Sequence, residues 1–175
     1  MNRMKKILLF IWETAKIVII SLAIIIPIRY YLIQPFFVRG ASMEPNFDDG
    51  QYLVVNEIGY RVGQPKRGDV IVFKYPFDKN QYYIKRIIGL PEERIEVRDG
   101  AVFINNVKLD ESAYLSEATF TNGSIVINLK DGEYFVLGDN RQASSDSRQW
   151  GVLPTANIIG QVWIRAWPLN AAKIF

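Results

Sequence analysis

The chain has 175 residues, 49% hydrophobic and 22% charged, a balance that supports a folded protein and excludes a disordered one. It contains no cysteine and no histidine, which excludes a disulfide framework, a Ser-His-Asp triad, a Cys-His dyad and a histidine-ligated zinc site; any hydrolase here must find its base among Lys, Asp, Glu and Tyr. The net charge of +3 is not spread over the chain: five of the 21 basic residues and one of the 18 acidic residues precede position 30, which leaves 16 against 17 and no basic footprint for nucleic acid.

Residues 1–6 are short and positively charged, with Arg3, Lys5 and Lys6. Residues 7–33 are strongly apolar, although the uninterrupted part, Ile17 to Ile28, is short against the roughly 20 residues that a membrane span needs. Glu13 and Lys16 are therefore expected near one interface, with Lys16 snorkelling, and Arg29, Tyr30 and Tyr31 at the other. A cleavable leader is the rival reading, but it needs small residues after the apolar core, and this core runs into the bulky stretch Pro27-Ile28-Arg29-Tyr30-Tyr31-Leu32. The segment reads as an uncleaved anchor in the lipid bilayer, with a cytoplasmic tail of residues 1–6 and the bulk of the chain outside.

Next comes Gly40-Ala41-Ser42-Met43-Glu44-Pro45, a small-residue turn that can present the Ser42 hydroxyl at the rim of a domain or serve as an ordinary polar turn. The pattern from Phe36 onward is short β-like runs: 51–55, 69–74, 82–88, 94–97, 101–104, 125–129, 133–137 and 162–167. Asp-Gly, Asn-Asn and Asn-Gly pairs punctuate them, as tight hairpins require. The fold class is mainly β: one N-terminal transmembrane helix, then an all-β domain over 36–175, a folded pair of antiparallel sheets or a distorted barrel.

Two of these segments carry candidate chemistry. In Tyr82 to Gly89, read as a strand, Lys85 shares a face with Tyr83 and Ile87, an apolar setting that disfavours the charged amine; the same pattern also fits an edge strand whose lysine points to water. The polar run 138–148 offers several hydroxyls, two acids and two arginines. An Asp146–Arg148 ion pair and a serine bonded to a lysine amine fit there, and so does a plain solvated loop.

Taken together, the segments resemble the boxes of bacterial type I signal peptidases, in the small form of the Gram-positive branch: Ser-Met-Xaa-Pro at 42–45, Arg-Gly-Asp-Val-Ile-Val-Phe at 67–73, Tyr-Ile-Lys-Arg-Ile-Ile-Gly-Leu-Pro at 83–91, and Gly-Asp-Asn-Arg…Ser-Xaa-Asp-Ser-Arg at 138–148. The resemblance implies a membrane-bound serine endopeptidase that removes signal peptides from secreted preproteins after small residues, near the protein-export machinery, with no cofactor and no metal. It implies Ser42 as nucleophile and Lys85 as general base, with Ser144 orienting the lysine and the backbone N–H of Ser42 binding the oxyanion. Asp139, Asn140, Asp146 and Arg148 are implied as structural support, Phe36, Val38, Met43 and Ile84 as pocket residues, the sheets are implied to be antiparallel, and residues at about 92–132 are implied as a small accessory β region. Two departures stand out. Gly40 lacks the serine hydroxyl that some relatives place there at the oxyanion, and Glu92-Glu93 replaces a Gly-Asp turn. A non-enzymatic anchored β domain would explain the anchor and the strands but not the boxes. A soluble self-cleaving Ser-Lys repressor protease would not explain the anchor.

Overall fold

The computed structural model describes residues 3–31 and 33–175, with side chains described for all of these except 27–33 and 61–62. Helix α1 (Arg3–Tyr31) opens the chain. Its segment Arg3–Ile26 packs nowhere inside the protein and is the one helix among the described residues long and apolar enough to cross a membrane. Its 24 residues rise about 36 Å at 1.5 Å each, enough for a hydrocarbon layer of about 30 Å. The short uninterrupted run 17–28 is thus only the middle of a longer helix. Glu13 and Lys16, one turn apart, pair with each other at 2.7 Å, which partly neutralises both charges. The side chains of the expected interfacial belt, Arg29, Tyr30 and Tyr31, lie outside the described residues.

Strand β1 (Ile33–Phe37) follows at once and pairs antiparallel with β2 (Tyr52–Asn56). The sequence gives no strand here, because Pro35 interrupts it. A proline lacks the N–H that a central strand must donate, and β1 is an edge strand, where that loss is tolerated. The other strands of the main sheet are β3 (Val70–Tyr75), β4 (Asp78–Gly89), β9 (Glu133–Leu137), β10 (Leu153–Pro154) and β11 (Ile158–Trp167). Their order is β1-β2-β11-β3-β4-β9-β10, all antiparallel, with β12 (Lys173–Ile174) on β11. A second sheet, ordered β7-β6-β5-β8, holds β5 (Arg94–Arg98), β6 (Ala101–Ile104), β7 (Val107–Lys108) and β8 (Ile125–Asn128). Its hairpins are set by local chemistry: Asp99-Gly100 and Asn105-Asn106 all adopt positive φ, as two-residue turns between twisted strands demand. The three two-residue strands escape any periodicity argument.

The hydrophobic runs of β3 and β9 do not alternate with polar residues because both of their faces are covered. Val70 and Val72 face a core with Met43, Phe47, Leu53 and Val55, whereas Ile71 and Phe73 face another with Ile87, Tyr134 and Val136. In β9, Phe135 and Leu137 turn away from Val136 and join Ile88, Ile95, Val97 and Val102 in a third core, which fastens the small sheet to the large one. Phe135 is fully buried there. Phe135→Ala is expected to destabilise the protein by about 3–5 kcal/mol through lost burial and a cavity, measured by urea unfolding of the detergent-solubilised chain.

Candidate active site

Ser42 stands on a turn tied down from below. Its neighbour Met43 is fully buried in the first core, and the Met43 carbonyl accepts from Asn46 N–H at 3.0 Å and Phe47 N–H at 2.9 Å. With Met43 anchored inward, Ser42 faces the cleft. Asn140 N–H donates to the Ser42 carbonyl at 3.1 Å, joining the turn to the 138–148 loop. Gly138 touches the same point: a Cβ there would fall inside contact distance of the Ser42 carbonyl and the Ser144 hydroxyl. The N–H of Ser42 meets no acceptor among the described residues. Gly40, at φ +85°, gives its own N–H to Asp49 at 2.7 Å.

Lys85 comes from the middle of β4. Its Nζ lies 2.8 Å from Ser42 Oγ, 2.8 Å from the Ile84 carbonyl oxygen and 5.4 Å from the Tyr83 ring centre. The residue is 3% exposed, so the edge-strand alternative with a solvated lysine does not hold. Burial lowers the Lys85 pKa from 10.5 to about 8, while the charges of Asp146 and Asp139 oppose the shift. With that value about one amine in ten is neutral at pH 7, against one in roughly 2,500 for a free lysine.

The carboxylates near the lysine are themselves held. Asp146 accepts from Arg148 Nε and Nη2 at 2.8 Å each and from Gly138 N–H at 3.1 Å, and it caps the short helix α2 (Ser147–Trp150). Asp139 accepts from Arg86 Nε at 2.8 Å, Arg86 Nη2 at 2.6 Å and Asn46 Nδ2 at 2.9 Å. Asn140 Oδ1 accepts from Ala143 N–H at 3.2 Å. The hydrogen bond expected between Ser144 and Lys85 does not form. Among the described residues Ser144 Oγ is buried with no partner, and the Lys85 amine meets the Ile84 carbonyl instead.

A cavity of about 570 Å³ opens beside Ser42 and Lys85, lined by Phe36, Val38 and Ile84, and also by Phe37, Leu53, Val72, Tyr82 and Ser145. Met43, expected to line it, does not: it lies wholly beneath Ser42 as part of the core. Two strand edges border this cleft without partners among the described residues. β1 pairs only with β2, and β4 pairs with β9 only from Arg86 onward, so 82–85 is open on that side. The Glu92 turn forms in spite of its departure from Gly-Asp. Glu92 takes φ 66°, and the Glu93 carboxylate binds Leu90 N–H at 2.8 Å and Arg67 Nη2 at 2.6 Å.

Several supporting residues escaped the sequence reading. Arg86 braces Asp139; Arg141, also buried, binds the Gly138 carbonyl at 3.1 Å and pairs with Glu111 at 2.6 Å; Ser147 Oγ accepts from Val136 N–H at 3.0 Å. The signal for Arg86 was present, since a second cation directly after Lys85 must point to the opposite face of the strand and find its own anion there.

A serine hydroxyl against a buried, partly neutral amine, in a cleft with open strand edges, is equipment for acyl transfer. The family comparison agrees with that chemistry: residues 11–167 match the model for signal peptidase, peptidase S26, and the chain belongs to that family. It is 34% identical to a probable signal peptidase I-1 of Synechocystis, over 92% of this chain and 85% of that protein. It is 33% identical to signal peptidase IB of Staphylococcus aureus, over 89% and 91%. A crystal structure of a signal peptidase I from Enterococcus faecalis aligns with 57% of this chain and 97% of its own, at 34% identity and a TM-score of 0.49.

Gly138→Ala is expected to push Ser42 or Ser144 out of place and to lower kcat by at least about a hundredfold, the scale of a 1 Å misplacement. Single-turnover kinetics of the variant, with circular dichroism to establish folding, measure it.

Proposed function

We propose that Ser42 and Lys85 are the nucleophile and general base of this signal peptidase, which removes signal peptides from secreted preproteins. The observation that carries the reading is the 2.8 Å approach of Lys85 Nζ to Ser42 Oγ, with the amine buried and its pKa lowered to about 8. Neutral Lys85 takes the Ser42 proton as Oγ attacks the scissile carbonyl, and the Ser42 N–H receives the oxyanion. The protonated amine then passes its proton to the leaving nitrogen, and the acyl-enzyme is hydrolysed by a water that gives its proton to the same lysine. Ser144 stands ready to steady the amine once the Ser42 bond is broken. Asp146–Arg148 and Asp139–Arg86 keep the 138–148 loop in register with Ser42.

The end of the signal peptide binds as an added strand along the open edges at 36–39 and 82–85. Phe36, Val38 and Ile84 leave shallow room suited to small side chains, so Leu or Phe just before the cut is excluded. The domain after α1 is the catalytic one, with residues 92–132 as its accessory β region. Arg3, Lys5 and Lys6 hold the N-terminus inside, so this domain faces outward, near the export machinery.

The basic test is incubation of detergent-solubilised protein with a preprotein and N-terminal sequencing of the product; absence of cleavage removes the reading. Because the neutral amine is the active form, kcat is expected to rise about tenfold per pH unit below pH 8 and to level off above it, read from a pH–rate profile. Lys85→Arg stays protonated and is expected to keep less than a tenth of the activity, and Ser42→Ala/Lys85→Ala to be scarcely worse than either single variant, in kinetics on folded protein. Orientation is read by adding protease to intact protoplasts, which should digest the domain and spare an N-terminal tag.

A further inference from the structure

A second depression, of about 470 Å³, shares no lining residue with the cleft. The two meet at Ser42, which lines the cleft and accepts at its carbonyl from Asn140 N–H, while Asn140 lines the depression. Glu44 and Pro45, directly after Ser42, form one wall, and Phe120 of the loop between β7 and β8 forms another. A peptide whose acyl half lies along residues 36–39 presents its scissile carbonyl at Ser42. Its leaving half then continues past Ser42 over residues 44–45.

The charges in this depression are unequal. Asp139 is matched by Arg86, and Arg141 by Glu111. Glu44 is half-buried, and its carboxylate has no ion pair or hydrogen bond to any described residue. Phe120 is 57% exposed but fixed: its ring lies against Gly100, where a Cβ would have no room, and its carbonyl accepts from Gln142 Nε2 at 3.0 Å. An uncompensated carboxylate beside a fixed, exposed aromatic ring suits a long basic side chain, whose stem lies on the ring while its head reaches the carboxylate.

We propose that Glu44 and Phe120 form a subsite for the first residues after the cut and that it favours lysine or arginine there. The inference rests on the reading of Ser42 and Lys85 as the cutting site. The test uses the full chain in a neutral detergent and a preprotein series with Ala fixed before the cut and Lys, Gln or Glu at each of the first three positions after it. The readout is the ratio of kcat/KM for Lys over Glu, taken within one enzyme preparation so that the folded fraction cancels. Wild type is expected to favour Lys about fivefold at one of these positions, the scale of a partly exposed ion pair, with the ratio shrinking at high salt. Glu44→Gln should bring the ratio near one, and Glu44→Lys should invert it. A wild-type ratio near one at all three positions, or a ratio that neither variant moves, overturns the subsite alone. Failure of wild type to cut any member, the Gln forms included, overturns the reading of the cutting site and the subsite with it.

Discussion

The arrangement depends on a lysine amine kept out of water and against a serine hydroxyl. A lysine held 3% exposed resists its charge, and a pKa lowered from 10.5 to about 8 corresponds to roughly 3 kcal/mol of penalty on the ammonium form. That penalty falls on the folded state at neutral pH and fades as pH rises from about 8 to 10.5, where the folded protein already holds a neutral amine and the unfolded chain does not yet. The rest of the domain must supply stability enough to carry it. The three cores do so, and they leave Lys85 on β4 between a covered face and the cleft.

The second constraint is the placement of anions. Asp146 and Asp139 lie close enough to raise the lysine pKa, opposing the effect of burial. Each is engaged by an arginine, Arg148 and Arg86, in two-point contact. Breaking such a buried pair typically costs about 3–5 kcal/mol, because it strands a charge. The arginines thus hold the carboxylates in place and draw on their charge. The same loop reaches Ser42 through Asn140 and allows no side chain at Gly138, so the turn, the strand and the loop cannot move independently.

Much of this was legible along the chain. The strands with alternating or continuous β-branched residues, the Asp-Gly and Asn-Asn hairpins and the apolar N-terminal helix each rest on local physics: side-chain periodicity, positive φ and length against a bilayer. The segments carrying Ser42, Lys85 and 138–148 were recognisable because their residue types recur in a fixed order. Met43 was misplaced among the pocket residues because adjacency to a candidate nucleophile says nothing about which way a turn points its side chains. Strand β1 was hidden by Pro35, which is compatible with a strand only at a sheet edge, and edges are defined by the whole sheet.

By itself, then, the sequence determined the parts: an anchor set by its run of apolar residues, strands set by their pattern, and a choice of base narrowed to Lys, Asp, Glu and Tyr by the lack of histidine. Only the tertiary structure decided their relations. It brought Ser42 and Lys85, 43 positions apart, to 2.8 Å, gave the lysine the Ile84 carbonyl in place of Ser144, and matched Asp139 to Arg86 across 53 positions. Those outcomes depend on sheet order and on which faces are buried. The burial that lowers the lysine pKa is a property of the assembled cores, and no stretch of sequence contains it.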